Sequence, residues 1–236
     1  FCSVFKMYKK IAILGAMEIE IEVLKNIYKN YKVHRVENIE IFEIVEDDKQ
    51  IFFTNSQIGK VFSSIVTTLL ITKFNVECVI FTGIAGSLNR NYKILDVAIA
   101  SKLCQHDVDI SAFGHPLGFI PGGKIFLESD KTLVTKLKQI GQKLKLDIKE
   151  GIIATGDQFI STTEQKEHIK KTFNADMIEM EGASVAVSCD TFNIPFIITR
   201  TISDSADEEG VEDFNKFMTL AANKNASLIT LLIKEL

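Results

Sequence analysis

Proline is scarce in this chain, three residues in 236, and no Pro/Ser-rich linker, low-complexity tract or internal repeat interrupts it. That excludes a string of tethered modules, and residues 1–236 are expected to form a single domain, with 1–6 a candidate leader or added segment. No stretch approaches the roughly 20 apolar residues needed to span a bilayer, and Phe1-Cys-Ser-Val-Phe5 is too short for the apolar core of a secretory signal. The four cysteines, at positions 2, 78, 104 and 189, lack paired spacing, which favours a reducing, cytoplasmic compartment over a disulfide framework. Because the chain does not begin with methionine, Met7 is a candidate start, and an exported form with a removed leader stays open. Basic excess is lacking as well: Lys+Arg 27 against Asp+Glu 31 leaves a formal charge of -4, which offers no field for nucleic acid or another polyanion. Lys6, Lys9 and Lys10 read as a solvated lead-in.

What the chain does have is a regular alternation of strand-like apolar runs with helical patterns, the mark of an α/β sandwich. Strands are expected over 11–14, 39–45, 51–55, 78–82, 95–100, 151–154, 177–180 and 195–202. Helices are expected over 18–28, 61–74, 131–145, 163–172, 182–192 and 214–234. In an open α/β sheet, ligands gather beyond the carboxyl ends of the strands, so the residues just after each run carry the functional information.

The most informative of these is Glu20. At roughly 100° per residue, Val23, Leu24 and Ile27 fall on one side of the helix after Gly15, and Glu20 projects among them. Glu18, Glu22 and Lys25 share the opposite, solvated side. A carboxylate on an apolar face costs several kcal/mol or shifts its pKa, and such a residue is usually kept for chemistry or for a partner.

Three further strand ends carry signals. Thr82-Gly-Ile-Ala-Gly86 is a small-residue turn that allows close backbone approach to a ligand, weak evidence on its own. Glu179-Met-Glu181 places two acids on one face if the strand runs through them, or two favourable charges at the start of the next helix. Arg200-Thr-Ile-Ser-Asp204 runs an apolar strand into a guanidinium that needs a carboxylate partner. Together these ends bring several carboxylates and one guanidinium to one edge of the sheet.

The strings Gly15-Ala-Met-Glu-Ile-Glu20, Ile58-Gly-Lys60, Thr82-Gly-Ile-Ala-Gly86, Gly156-Asp-Gln-Phe-Ile160, Glu179-Met-Glu181 and Arg200-Thr-Ile-Ser-Asp204 resemble, in order and spacing, the 5′-methylthioadenosine/S-adenosylhomocysteine nucleosidases of the nucleoside phosphorylase superfamily. The resemblance covers essentially the whole chain after Met7. It implies a three-layer α/β/α sandwich with a central mixed twisted sheet, and hydrolysis of the bond between adenine N9 and ribose C1′ with no metal or organic cofactor. Asp204 would protonate adenine N7, Glu20 would activate the attacking water, and Arg200 would orient Glu20 or that water. Glu181 would hold the ribose hydroxyls, with Met180 beneath the sugar and Glu179 and Ala16 also in the substrate shell. Phe159 would stack on the base and the Ile160 backbone would read its edge. Met17, Ile58 and Phe214 would meet the 5′ group, joined in a homodimer by Ile110 and Phe113 of the neighbouring subunit. Many relatives carry serine at the position of Ile84, so here the water would rest mainly on Glu20 and Arg200.

The physical logic agrees, because cleavage develops positive charge on the ribose and negative charge on the base, and carboxylates of opposite protonation state can stabilise both. Phosphorolysis is the runner-up, disfavoured because Glu20 would repel phosphate from the nucleophile position. The same adenine and ribose contacts would also serve a 6-amino-6-deoxyfutalosine hydrolase, and the fold alone would serve a surface protein that binds polyanions. His106-Asp-Val-Asp109 lacks a distal ligand cluster and reads poorly as a metal site. His115 reads as a surface or interface residue, and Asp207-Glu-Glu209 as a solvated acidic loop capping the last helix.

Overall fold

The computed structural model of the chain describes residues 8–207 and 209–236. Cys2, Lys6, Met7 and Glu208, which carry part of the expectations about thiols, the basic lead-in, the start and the acidic loop, lie outside them. In chain order the elements are β1 (Lys10–Gly15), α1 (Glu18–Ile27), β2 (Lys32–Val36), β3 (Ile39–Glu46), β4 (Lys49–Asn55), α2 (Lys60–Phe74), β5 (Cys78–Ser87) and β6 (Val97–Gln105). A short 3-10 turn (Ser111–Phe113) precedes β7 (Leu127–Glu128), α3 (Lys131–Lys143), β8 (Lys149–Thr155), α4 (Thr163–Phe173), β9 (Met177–Glu179), α5 (Gly182–Phe192), β10 (Phe196–Asp204) and α6 (Gly210–Glu235).

Alternation along the strands builds three layers. Ala12 and Leu14 of β1, Val79 and Phe81 of β5 and Ile198 of β10 face one way, packing with Val66 and Leu70 of α2 and Val185 and Cys189 of α5. Their neighbours Ile11, Ile13, Cys78, Ile80 and Ile197 face the other way, toward Ile21 and Leu24 of α1, Leu137 of α3 and Ile229 and Leu232 of α6. The period of two in a strand thus divides one apolar run between two cores. A smaller cluster under α4 joins Ile169 and Phe173 to Cys104 and Ala154.

The sheet is mixed and closes on itself at one end. β5 pairs with both β10 and β9, β10 pairs with β6, β6 with β8 and β8 with β9, so these five strands form a ring. β1, β4, β3 and β2 extend from β5 as an open wing. Ring closure draws the ends of β5, β9 and β10 toward one rim, with the end of β1 beside them. Register sets Arg200 opposite Gly83 and Asp204 opposite Gly86. A shift in that register between Ile202 and Asp204 is the kind of irregularity that re-aims a side chain.

Several boundaries differ from the sequence expectation. The edge strand β2 is an addition to it, since its residues KVHRV are mostly exposed or half-buried and lack a buried apolar face. Strand β6 starts at Val97, because Leu95 adopts φ 70°, and it runs on past Ala100 through an irregularity to Gln105. Strand β9 stops at Glu179, and Glu181 is the N-cap of α5, so the two acids do not share a strand face. Helix α6 begins at Gly210, a full turn before Phe214. On α1 the buried residues are Glu20, Ile21 and Leu24, whereas Ile27 is exposed.

Candidate active site

The rim of the ring opens into a cavity of about 690 Å³ counting the open space at its mouth. Glu20, Glu179, Glu181, Arg200 and Asp204 all line it.

Glu20 enters from the first turn of α1. The Met17 N–H donates to its Oε2 at 3.0 Å, and the Glu20 N–H donates to the Met17 carbonyl at 3.2 Å, a reciprocal arrangement that fixes the carboxylate at the helix start. Two glycines make room for it: a Cβ on Gly15 would sit 2.8 Å from the Glu20 Cβ, and one on Gly83 would sit 2.8 Å from Glu20 Oε1. Burial pushes the Glu20 carboxyl above the usual carboxylate range, against the Met17 N–H, the Arg200 charge and the Ala16 and Ile84 N–H groups. Sequence reasoning expects Arg200 to orient Glu20 or its water; the guanidinium is hydrogen-bonded to Glu179, while its charge favours the ionised form of Glu20.

Arg200 is among the largest fully buried side chains. Its Nη2 donates to Glu179 Oε2 at 2.5 Å, its Nη1 donates to the Thr199 carbonyl at 3.1 Å, and its guanidinium carbon stands 4.3 Å from the centre of the Phe81 ring. Glu179 is more a holder of the site than a ligand for substrate. One oxygen accepts from Thr155 Oγ1, and the other accepts from Arg200 and from the Glu181 and Gly182 N–H groups at 3.1 and 2.7 Å. Its acceptor capacity is thus largely committed to protein donors.

Glu181 keeps one oxygen uncommitted, while Oε1 accepts from the Gly59 N–H at 2.9 Å. Its pKa is raised to about 8, by burial first and then by the negative charge of Glu179, with Glu20 adding to it and Arg200 and the Gly59 N–H opposing. Asp204 is also raised, by burial and by the charges of Asp213 and Asp207, against the Ser203 hydroxyl and the Ala206 N–H. Those two donors lie 2.7 and 2.8 Å from its oxygens. A Cβ on Gly86 would sit 2.7 Å from Asp204 Oδ1, so glycine is required opposite that carboxyl.

The apolar walls come from Ala16, Met17, Ile58, Ile84, Phe159, Ile160, Met180 and Phe214. Phe159 and Phe214 meet edge to face, 5.8 Å between centroids at 90°. Ile110 and Phe113 are not among the lining residues; Phe113 on the 3-10 turn is 81% exposed.

Sequence reasoning missed the network that ties the loops together. Lys60 Nζ pairs with Asp107 Oδ1 at 2.6 Å, the Lys60 N–H donates to Asp157 Oδ1 at 2.8 Å, and the Asp157 N–H donates to Asp107 Oδ2 at 2.9 Å. The loops bearing Ile58, Phe159 and Ile110 are thereby fastened to one another. Lys60 and Asp157 both fall inside the family-like strings, so the signal was present without a role attached. Among the described residues, no group of His, Cys, Asp and Glu is arranged to hold a metal.

A fold in which a mixed sheet closes around a rim of buried carboxylates defines the class: residues 10–234 match the family model of the phosphorylase superfamily. The chain is 41% identical over 231 residues to an aminodeoxyfutalosine nucleosidase of Helicobacter pylori, covering 98% of this chain and 100% of that one. It is 38% identical to a 5′-methylthioadenosine/S-adenosylhomocysteine nucleosidase of Staphylococcus aureus, covering 96% and 100%. A Helicobacter pylori nucleosidase mutant solved with 5′-methylthioadenosine in its active site superposes with a TM-score of 0.95 at 41% identity, covering 98% and 100%. The chain belongs to the phosphorylase superfamily and, within it, to the nucleosidases that these relatives represent.

The Glu181 shift makes a prediction about stability. A carboxyl raised from 4.5 to about 8 in the fold contributes stability that is fully present below its unfolded pKa and is lost as pH rises through its folded value. Glu181→Gln removes that dependence. The melting temperature of the ligand-free variant, relative to the parent, should therefore rise by several degrees between pH 5 and pH 8.5; a difference that stays constant across that range would contradict the assignment.

Proposed function

We propose that this site hydrolyses the N-glycosidic bond of 5′-methylthioadenosine, S-adenosylhomocysteine and 6-amino-6-deoxyfutalosine, releasing adenine. The observation that carries the reading is the joint burial of Glu20, Glu181 and Asp204 around one cavity, all three holding protons more tightly than ordinary carboxyls. As the C1′–N9 bond breaks, its electron pair leaves with adenine, and Asp204 delivers a proton to N7. Water adds to C1′ and gives its proton to Glu20, whose raised pKa makes it a stronger base once ionised. Glu181 faces the ribose hydroxyls and favours the positive charge that develops on the sugar. Phe159 stacks on the base beside the Ile160 backbone, Met180 underlies the sugar, and Ala16, Met17, Ile58 and Phe214 close around the 5′ group.

The three nucleosides share adenine and ribose and differ at the 5′ end, where the wall formed by Ile58 is open to solvent. Support for the broader substrate set comes from the relatives, which bear both nucleosidase names at 38–41% identity. Phosphorolysis fits less well, since Glu20 stands where a phosphate would have to approach.

A homodimer completes this reading. Helix α2 leaves Val61, Phe62 and Ile65 exposed, and Val187 of the adjoining α5 is exposed too; large apolar side chains grouped in this way are ordinarily covered. A second copy seated there would bring Ile110 and Phe113 to the 5′ end of its partner's site. No helix among the described residues is long and apolar enough to cross a membrane. A reducing, cytoplasmic setting goes with cysteines that lack the paired spacing of a disulfide framework.

Incubation with each of the three nucleosides and with inosine, following free base by absorbance, should give adenine from the first three and a rate indifferent to added phosphate. Formation of a ribose 1-phosphate would replace hydrolysis with phosphorolysis. Asp204→Asn should lower kcat by on the order of 10²- to 10⁴-fold while the fold persists; near-normal turnover would remove Asp204 as the acid. For Glu20→Gln, the expectation is retained binding, read by calorimetry with 5′-methylthioadenosine, and hydrolysis slowed by a similar factor.

A further inference from the structure

Beneath the rim, α6 carries one amide on its buried face. Asn225 is 1% exposed and is flanked one turn away by Ala221 and Ile229, both fully buried. Its Nδ2 donates to the Gly83 carbonyl, and its Oδ1 has no hydrogen-bond partner. Burying an amide with one group unsatisfied is destabilising, so a wholly apolar side chain would suit this position better if packing were its only task.

Gly83 is the residue of β5 that touches both halves of the charged cluster. A Cβ built there lies 2.8 Å from Glu20 Oε1 and 3.1 Å from Arg200 Nη1. The carbonyl of Gly83 and the N–H of Ile84 belong to one planar trans peptide and point in opposite directions. Fixing the carbonyl toward α6 therefore fixes the N–H toward the cavity, on the side where Glu20 lies. We propose that Asn225 is a positioning residue for the hydrolytic site: it clamps the Gly83–Ile84 peptide so that the Ile84 N–H is aimed at the Glu20 carboxylate.

This inference rests on the hydrolase reading and adds a part to it. The Ile84 side chain offers no donor to the site, so the contribution of this position to Glu20 comes through its backbone. That N–H is one of the three backbone donors that favour the ionised form of Glu20. Among the described residues, the charged groups facing Glu20 are Arg200 of β10 and, beyond β9, Glu181; Glu179 acts on it by neutralising Arg200. None of them is hydrogen-bonded to the Gly83 carbonyl, so the hydrogen-bonded route from Asn225 to Glu20 runs through that peptide.

The test is the pH profile of kcat/KM for 5′-methylthioadenosine. Asn225→Leu removes the donor and keeps the volume; Asn225→Ala removes it with less risk of overpacking and serves if the first variant does not fold. With the clamp gone, the ionised form of Glu20 loses support, so the acid limb should move to higher pH by about 0.5 to 1 unit, a fraction of one hydrogen bond to a charged group. The alkaline limb should stay in place, and KM at the plateau should change by less than about threefold, since positioning of the base acts on kcat. A purely structural role would lower the melting temperature and leave the acid limb where it is in the parent, and that result overturns the proposal. Failure of the parent protein to release adenine from any of the nucleosides would instead sink the hydrolase reading, so the two failures are distinct.

Discussion

The buried pair of Arg200 and Glu179 is the contact on which the rest of the site depends. A guanidinium inside the fold is tolerable when a carboxylate matches its charge. Here Glu179 at the end of one strand supplies that charge and the Thr199 carbonyl accepts a second hydrogen bond, while the Gly182 N–H of the following helix and Thr155 from a third strand brace the same carboxylate. The pair joins β8, β9 and β10, which are strands of the closed ring, so the geometry of the ring and the charge balance of the cavity are one constraint. Breaking the pair by removing one partner would leave an uncompensated buried charge.

Arg200, paired with Glu179, lowers the proton affinity of Glu20 and Glu181 by less than burial raises it. Glu20 and Glu181 then feel burial more than attraction and retain protons that exposed carboxyls would lose. Asp204 reaches the same condition by a separate route, with two further aspartates nearby in place of a glutamate. For a reaction that needs a base on one side of the sugar and an acid on the other, proton affinities closer to neutrality are an advantage at both ends. The cavity obtains this from its depth and from its scarcity of cations.

Much of the arrangement was legible from residue order. Glu20 betrayed itself as an acid on an apolar helical face, and the layers followed from strand and helix periods. The edge strand β2 escaped because its solvent-facing residues carry no alternation to read. The true partner of Arg200 escaped because strand ends reveal which groups converge, but not which of several carboxylates the sheet register brings into contact. Asn225 could have been found by the reasoning that exposed Glu20: in α6 it falls one turn from Ala221 and Ile229, a polar group in line with buried ones. It was overlooked because an amide carries no charge to draw attention.

The Gly59 N–H and the Glu181 carboxylate join two regions that a nucleoside bound as proposed would occupy at once, the sugar and the wall around its 5′ substituent. A ligand that engages the uncommitted oxygen of this carboxylate through its hydroxyls shares the group with the backbone beside Ile58. Grip at one end of the molecule therefore alters the hinge of the other, and fragments of a nucleoside should not contribute to affinity as independent parts.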